Sequence, residues 1–363
     1  MLAIDHENPG SCHAPAPHAS LAHGFRYNAG TNFFFGTRRM IPASQLHFKS
    51  VNYTGQGPGP KVIIMGATHG NETCGTQAIQ RIMADIDAGR LQILNGSVTF
   101  VPIVNPLAYA KNTRSGDRNL NRDLSPKAAP QDFEDHVANW LCPLLAQHDV
   151  LLDLHSFNAA HGEPFVMVGP MDNDGPLEPF RHMRAERALA RRLGVRRFVT
   201  GWMAAYGGGV QRRSRGNASE LETTLRYGVG TTEYMRSTGG YALTLECGQH
   251  LDPRAPEVAY TAIMNTLAFL KLIDAPEPQP LPFEEMEALQ MVVVHDKLDA
   301  GDRFTRQWAS FDPVAEGEQI GVRADGTPVV AEFAGRILFP DVNAAPNHEW
   351  YYLTRPNPQF GRE

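Results

Sequence analysis

The chain has 363 residues, 42% hydrophobic and 20% charged, a balance that excludes a disordered tail and allows one large core plus a smaller domain. Its formal net charge of −6 leaves no basic excess for nucleic acid or an anionic membrane surface, so the expected partner is a small molecule. Cys12, Cys74, Cys142 and Cys247 show no Cys-x-x-Cys spacing, which predicts reduced thiols in the cytoplasm and neither a disulfide framework nor a thiolate zinc cluster.

The first 25 residues carry Asp5, His6, Glu7 and scattered prolines without a continuous apolar run, so no secretory or mitochondrial leader is read there. No stretch is long and apolar enough to span a bilayer, and a cytoplasmic location is expected. His13, His18 and His23 are too irregularly spaced for a metal tract; residues 1–42 are set apart as an N-terminal extension with a flexible start.

From residue 43 to 273, strand-like and helix-like segments alternate, as βαβ units with a sheet covered on both faces require. Strands are predicted over 45–53, 62–66, 97–103, 150–154, 164–168, 198–202 and 242–246. Helices are predicted over 73–88, 131–147, 178–193 and 254–272, the third stopped by Gly194. Gly207-Gly208-Gly209 and Gly55-Gln56-Gly57-Pro58-Gly59-Pro60 open no helix after a strand, so both are expected to be flexible loops and not phosphate cradles.

The prolines at 276, 278, 280 and 282 cannot continue a helix and mark a linker over 275–286. Beyond it, short strands split by turns such as Ala324-Asp325-Gly326-Thr327 predict a small all-β domain over 287–363. The phrase from Phe311 to Gly321 looks like the half-barrel repeat of biotinyl and lipoyl carrier domains, but Arg323-Ala324-Asp325-Gly326 holds no lysine to modify.

Chemistry concentrates where the predicted strands end. His69-Gly70-Asn71-Glu72 follows the apolar run Lys61–Gly66, and Asp153-Leu154-His155 ends a second apolar strand. Open parallel sheets collect functional groups outside the carboxyl ends of their strands. Three protein ligands, His69, Glu72 and His155, would leave one position of a tetrahedral zinc open for water, the pattern of a hydrolytic site with one Zn2+ per chain. Asp153 shares the strand face of His155 and could orient it. Between the two half-sites, Arg114, Arg118 and Arg122 sit in one polar segment, and a guanidinium suits a carboxylate or a developing oxyanion. Glu246 ends the apolar strand 241–245 at the same sheet edge and is a candidate base; Glu233 competes, but is expected on a solvated helix face.

These motifs together resemble the succinylglutamate desuccinylase and aspartoacylase family, a branch of the zinc carboxypeptidase superfamily. The residues carrying the likeness are Gly66–Glu72, Thr113-Arg114 with Asn119-Leu120-Asn121-Arg122, Asp153-Leu154-His155 and Thr244–Gly248, over residues 60 to 255. The resemblance implies a zinc-carboxypeptidase-like α/β fold with a mixed, largely parallel sheet flanked by helices, occupying 43–274. It also implies that His69, Glu72 and His155 bind zinc, Arg114 stabilises the oxyanion, Asn121 and Arg122 hold a substrate carboxylate, and Glu246 is the catalytic base. A C-terminal tyrosine used in aspartoacylase falls at Tyr351 or Tyr352. Arg118-Asn119-Leu120-Asn121 departs from the Asp-Leu-Asn-Arg form common in aspartoacylases, so the acidic side-chain pocket of that enzyme is not carried over; the family is mixed in substrate, and the acyl group and the amine stay open. The implied activity is hydrolysis of the amide bond of a small N-acyl amino acid or acyl-amine. A metallocarboxypeptidase acting on short peptides and a non-catalytic binding protein are the alternatives, and self-association into a homo-oligomer is left open.

Overall fold

The computed structural model describes residues 46–159, 162–213 and 224–361. The N-terminal extension 1–42, with Cys12, His13, His18 and His23, lies outside the described residues. The first part of the chain runs β1 (Val51–Thr54), β2 (Gly57–Gly66), α1 (Cys74–Asp87), β3 (Asn95–Val101), α2 (Pro106–Lys111), α3 (Phe133–Leu145) and β4 (Val150–Phe157). It continues through β5 (Phe165–Met167), α4 (Met183–Ala190), β6 (Arg197–Thr200), α5 (Trp202–Arg213), α6 (Thr231–Ser237), β7 (Tyr241–Gln249) and α7 (Ala255–Phe269). After the proline-rich segment come β8 (Glu287–Asp296), β9 (Arg303–Phe304), β10 (Pro313–Val314), β11 (Gln319–Val322), β12 (Pro328–Val330), β13 (Gly335–Leu338) and β14 (Glu349–Pro356).

Eleven strands form one sheet in the order β1-β3-β2-β4-β7-β5-β6-β8-β14-β13-β10, and β12-β11-β9 form a second, small antiparallel sheet. The centre β3-β2-β4-β7 is parallel, as expected of the fold class. β5 then pairs antiparallel with β7 and reverses the polarity; β6 and β8 run parallel to β5.

The central strands are buried on both faces, so they read as continuous apolar runs whose alternate residues enter different cores. Val62, Ile64, Phe100, Leu152, Leu154, Leu243 and Leu245 pack against Ile79 and Ile82 of α1 and Ile263 and Leu267 of α7. Ile63, Met65, Leu151 and Ala242 face the other way, against Val137, Leu141 and Leu145 of α3 and Met235 of α6. Each Val, Ile, Leu, Phe or Met among them contributes about 1.5–3 kcal/mol when fully buried.

Three local expectations are corrected. Gly207-Gly208-Gly209 lies inside α5 and not in a loop: Arg212 donates to the Val294 carbonyl and Arg213 pairs with Asp296 at 3.0 Å, tertiary anchors on β8 that override poor helix propensity. Residues 57–60 are the first part of β2, where Gly57 pairs with Asn95. Phe198 is in β6, but Trp202 already begins α5.

Candidate active site and metal centre

β2 ends at Gly66, and the chain turns through Ala67, which takes the left-handed φ of +51°. For a residue with a side chain this costs about 1–3 kcal/mol, and it throws Thr68 and His69 over the strand end. Gly70 has a packing reason: a Cβ there would lie 1.9 Å from the Ala108 backbone of α2, so only glycine lets the helix pass. Parallel pairing in register sets Gly66 beside Leu154 and His155 beside Glu246, bringing residues far apart in sequence to one edge.

Glu72 is the hub. Its Oε1 lies 2.8 Å from His69 Nδ1 and accepts from Arg114 Nη1 at 3.1 Å; its Oε2 lies 2.8 Å from His155 Nδ1 and accepts the Ser156 amide at 3.1 Å. One ligand atom from each of His69, Glu72 and His155 lies within 4.8 Å of the others, and all three side chains are buried. The outward nitrogens are held separately. His69 Nε2 lies 3.0 Å from Asn119 Oδ1, and His155 Nε2 lies 2.9 Å from Asp153 Oδ2, an ion-pair distance outside hydrogen-bond alignment. Asp153 is fixed in turn by the hydroxyls of Thr68 at 3.0 Å and Thr231 at 2.6 Å.

This donor set fits a divalent metal: two imidazoles aim the same nitrogen at one carboxylate, while each opposite nitrogen meets an oxygen that can orient the ring. The two rings differ electrostatically. Burial, aided by the Arg114 charge, lowers the His69 pKa to about 4, which favours the neutral imidazole that a metal requires. Burial alone would lower His155 as well, but Asp153 and Glu72 outweigh it and hold the ring well above the usual range. Glu72 is kept far below the carboxylate range, the two histidines overcoming the cost of burial.

Glu246 is buried level with His155, and its Oε2 has no hydrogen-bond partner among the described residues. Burial first, and the Glu72 charge second, push its carboxyl up to about 8. An unsatisfied carboxylate oxygen in a closed site has the character of a proton acceptor waiting for a substrate. Glu233 is not on a solvated face, contrary to expectation: it is buried, accepts the Gly230 amide at 2.9 Å and the Thr232 hydroxyl at 3.0 Å, and so caps α6.

The three arginines of the polar segment divide their roles. Arg114 is half-exposed and touches Glu72, whereas Arg118 pairs with Asp132 and Asp135 at 2.8 Å each, tying the segment to α3. Arg122 is largely buried, 3.4 Å from Glu349 of β14, with its guanidinium 4.8 Å over the Trp202 ring. Asn121 uses its Oδ1 on the Thr231 amide at 2.8 Å. Of the two candidate tyrosines, Tyr351 stacks on His295 at 4.7 Å, while Tyr352 lies 5.9 Å from Trp202, beside Arg122.

Sequence reading missed three supports of this site. Asn119 follows Arg118 in the polar segment and holds His69 through its Oδ1. Ser156 donates its amide to Glu72, and His250 Nδ1 lies 2.8 Å from the Ser156 hydroxyl. The adjacency of Ser156 to His155 was the one available signal; His250 had none.

Residues 58–194 match the succinylglutamate desuccinylase/aspartoacylase catalytic domain. A probable aspartoacylase of Prochlorococcus marinus is 30% identical over 122 residues, which are 31% of this chain and 40% of that protein. An N-alpha-acetyl-L-2,4-diaminobutyric acid deacetylase of Halomonas elongata is 31% identical over 105 residues, 28% of this chain and 30% of that protein. The chain thus spans less than half the length of these curated relatives. Among solved structures, a succinylglutamate desuccinylase/aspartoacylase from Rhodobacter sphaeroides superposes with a TM-score of 0.63 at 17% identity, over 86% of this chain and 90% of that one. The product-bound ectoine utilization protein EutE (DoeB) from Ruegeria pomeroyi gives 0.60 at 20% identity, over 83% and 87%. At such identities the likeness is one of fold. The matched segment contains His69, Glu72, Arg114, Asn121, Arg122 and His155, and Glu246 follows it on the neighbouring strand; residues 58–194 belong to the succinylglutamate desuccinylase/aspartoacylase catalytic-domain family.

Proposed function

We propose that this chain is a zinc-dependent deacylase that hydrolyses the amide bond of a small, carboxylate-bearing N-acyl amino acid or acyl-amine. The observation that carries the reading is the convergence of His69 Nδ1, His155 Nδ1 and the Glu72 carboxylate beside the unpartnered Glu246 Oε2. Support for deacylation as a class comes from the aspartoacylases and the deacetylase matched in sequence. The free, buried thiols of Cys74, Cys142 and Cys247 accord with a cytoplasmic enzyme.

His69, Glu72 and His155 would hold one zinc, which supplies Lewis-acid polarisation of the scissile carbonyl and a water acidified towards neutrality. Glu246 takes the proton of the attacking water and returns it to the departing amine, so it acts as base and then acid. Arg114, half-exposed and adjacent to Glu72, turns its guanidinium to the carbonyl oxygen as negative charge develops; one such donor is typically worth about 3 kcal/mol. Arg122 supplies a forked donor for a substrate carboxylate, held in place by Trp202 and Glu349.

The decisive experiment is a panel of N-acyl amino acids and short peptides on zinc-loaded protein, repeated with Glu246→Gln. Wild type should cleave one or more acyl-amino acids, and the variant should keep zinc and substrate affinity while kcat falls by roughly a thousandfold or more. Near-normal kcat in a zinc-bound variant would remove Glu246 from the mechanism. Cleavage of peptides alone would favour a metallocarboxypeptidase.

A further inference from the structure

Glu134, in the first turn of α3, is fully buried and takes no part in the chemistry above, yet its two oxygens accept an unusual set of donors. Oε1 accepts from the Asn105 side-chain amide at 2.8 Å and the Gly116 amide at 2.8 Å; Oε2 accepts from the Asp117 amide at 3.0 Å and the Arg118 amide at 3.2 Å. Three consecutive backbone N–H groups therefore converge on one carboxylate, at the middle of the loop that carries Arg114 and Asn119. The backbone is shaped for that contact. A Cβ on Gly116 would lie 2.4 Å from Glu134 Oε1, so the carboxylate occupies the space of a side chain at that position. A second connection runs through Asn105, whose Oδ1 caps α2 at Ala108, the residue against which Gly70 is packed.

We propose that Glu134 is a positioning residue for the deacylation: by gathering the amides of residues 116 to 118, it sets Arg114 against Glu72 and Asn119 against His69. The reaction named here rests on the deacylase reading; the contacts do not. Arg114 reaches Glu72 from two residues before the gathered amides, and Asn119 reaches His69 from one residue after them. A loop with no helical or strand ladder of its own would otherwise leave these two side chains to many conformers, and catalytic groups need placement to within about 0.5 Å. The ordinary structural alternative, a glutamate placed to satisfy the α3 dipole, accounts poorly for the pattern. The helix's own N-cap bond is made by Asp132 to the Asp135 amide at 2.8 Å, and the oxygens of Glu134 are directed at the loop.

The test uses Glu134→Gln in the full chain, read by amide hydrogen exchange, zinc content and steady-state kinetics. Glutamine offers one acceptor oxygen and places an N–H donor against amides that need an acceptor. Exchange at Gly116, Asp117 and Arg118 should rise by about tenfold or more while α3 stays protected. In the zinc-loaded variant, kcat should fall by roughly tenfold to a hundredfold with KM nearly unchanged, as expected for loss of an arrangement used in the transition state. Gly116→Ala keeps the carboxylate but crowds it, and should give the same local signature; it carries the test if Glu134→Gln does not fold. Unchanged exchange at 116–118 in a folded variant would overturn the proposal. So would faster exchange with normal kcat, because the loop would then be loosened without effect on Arg114. If wild type cleaved none of the acyl substrates, the deacylase reading would fail by itself; the exchange and zinc arms still report whether Glu134 orders the loop around the metal ligands.

Discussion

Replacing Asp153 by asparagine keeps the volume of a fully buried side chain and removes its charge. In the native arrangement Oδ2 is 2.9 Å from His155 Nε2 and accepts the Thr231 hydroxyl at 2.6 Å, while Oδ1 accepts the Thr68 hydroxyl at 3.0 Å. With Nδ1 directed at Glu72 and the proposed metal, Nε2 must carry the ring proton. If the new amide turns its NH2 to His155, two donors face each other and the ring is driven to the tautomer that cannot bind metal through Nδ1. If the amide flips, its oxygen faces Nε2 and the Thr68 hydroxyl must accept in place of donating, so only the charge is lost. Loss of such an orienting carboxylate typically costs tenfold to a hundredfold in metal affinity, about 1.4 to 2.8 kcal/mol, with the flipped state at the low end. Competition against a chromogenic chelator at pH 7.5 measures the zinc Kd directly, with His155→Ala as the reference for loss of a ligand. A Kd within about threefold of wild type would refute the claim that Asp153 governs the state of His155.

Arg122→Lys keeps the charge but loses the fork and the stack on Trp202; kcat/KM for a carboxylate-bearing substrate should drop about tenfold to a hundredfold more than for its amide analogue, and equal losses would assign Arg122 to the scaffold. Glu178 pairs with Arg236, yet burial and the neighbouring Glu233 and Glu186 push its carboxyl from 4.5 to about 7. As pH rises between those values, the unfolded chain has released a proton that the folded chain retains, so this group destabilises the fold progressively and fully above about 7. Glu178→Gln removes that penalty: the Tm of the variant relative to wild type should climb from about pH 4.5 to 7 and then level, and a flat or falling difference in scanning calorimetry would contradict it. Phe100→Ala, at a position with no solvent exposure, should cost about 3–5 kcal/mol by urea denaturation; less than 1 kcal/mol would mean that the core there collapses around the gap.

The strand-end positions of His69 and His155 were legible because two apolar runs with polar ends leave little freedom in an open parallel sheet. Parallel register then brought Glu246 level with His155, which a strand pattern suggests but cannot fix. Asn119, Ser156 and His250 were not legible as supports: each acts on a partner 50 to 94 residues away or through its main chain, and neither contact leaves a local period. Glu233 and the three glycines of α5 misled for one shared reason. Local polarity and propensity pointed outward, while tertiary partners, the α6 cap in one case and β8 in the other, pulled the segment into the structure.

The pairing of β8 with β6 binds the last fifth of the chain into the main sheet: Arg197 to Thr200 align with Glu287 to Gln290. Cutting the chain at the proline-rich segment would strip β6 of that neighbour and leave a row of open amides and carbonyls beside apolar surface from Phe165 and Val199. The shortened product would present a ready template for strand addition by another copy of itself. For anyone trimming this chain at the proline-rich segment, the hazard is therefore self-association into insoluble material.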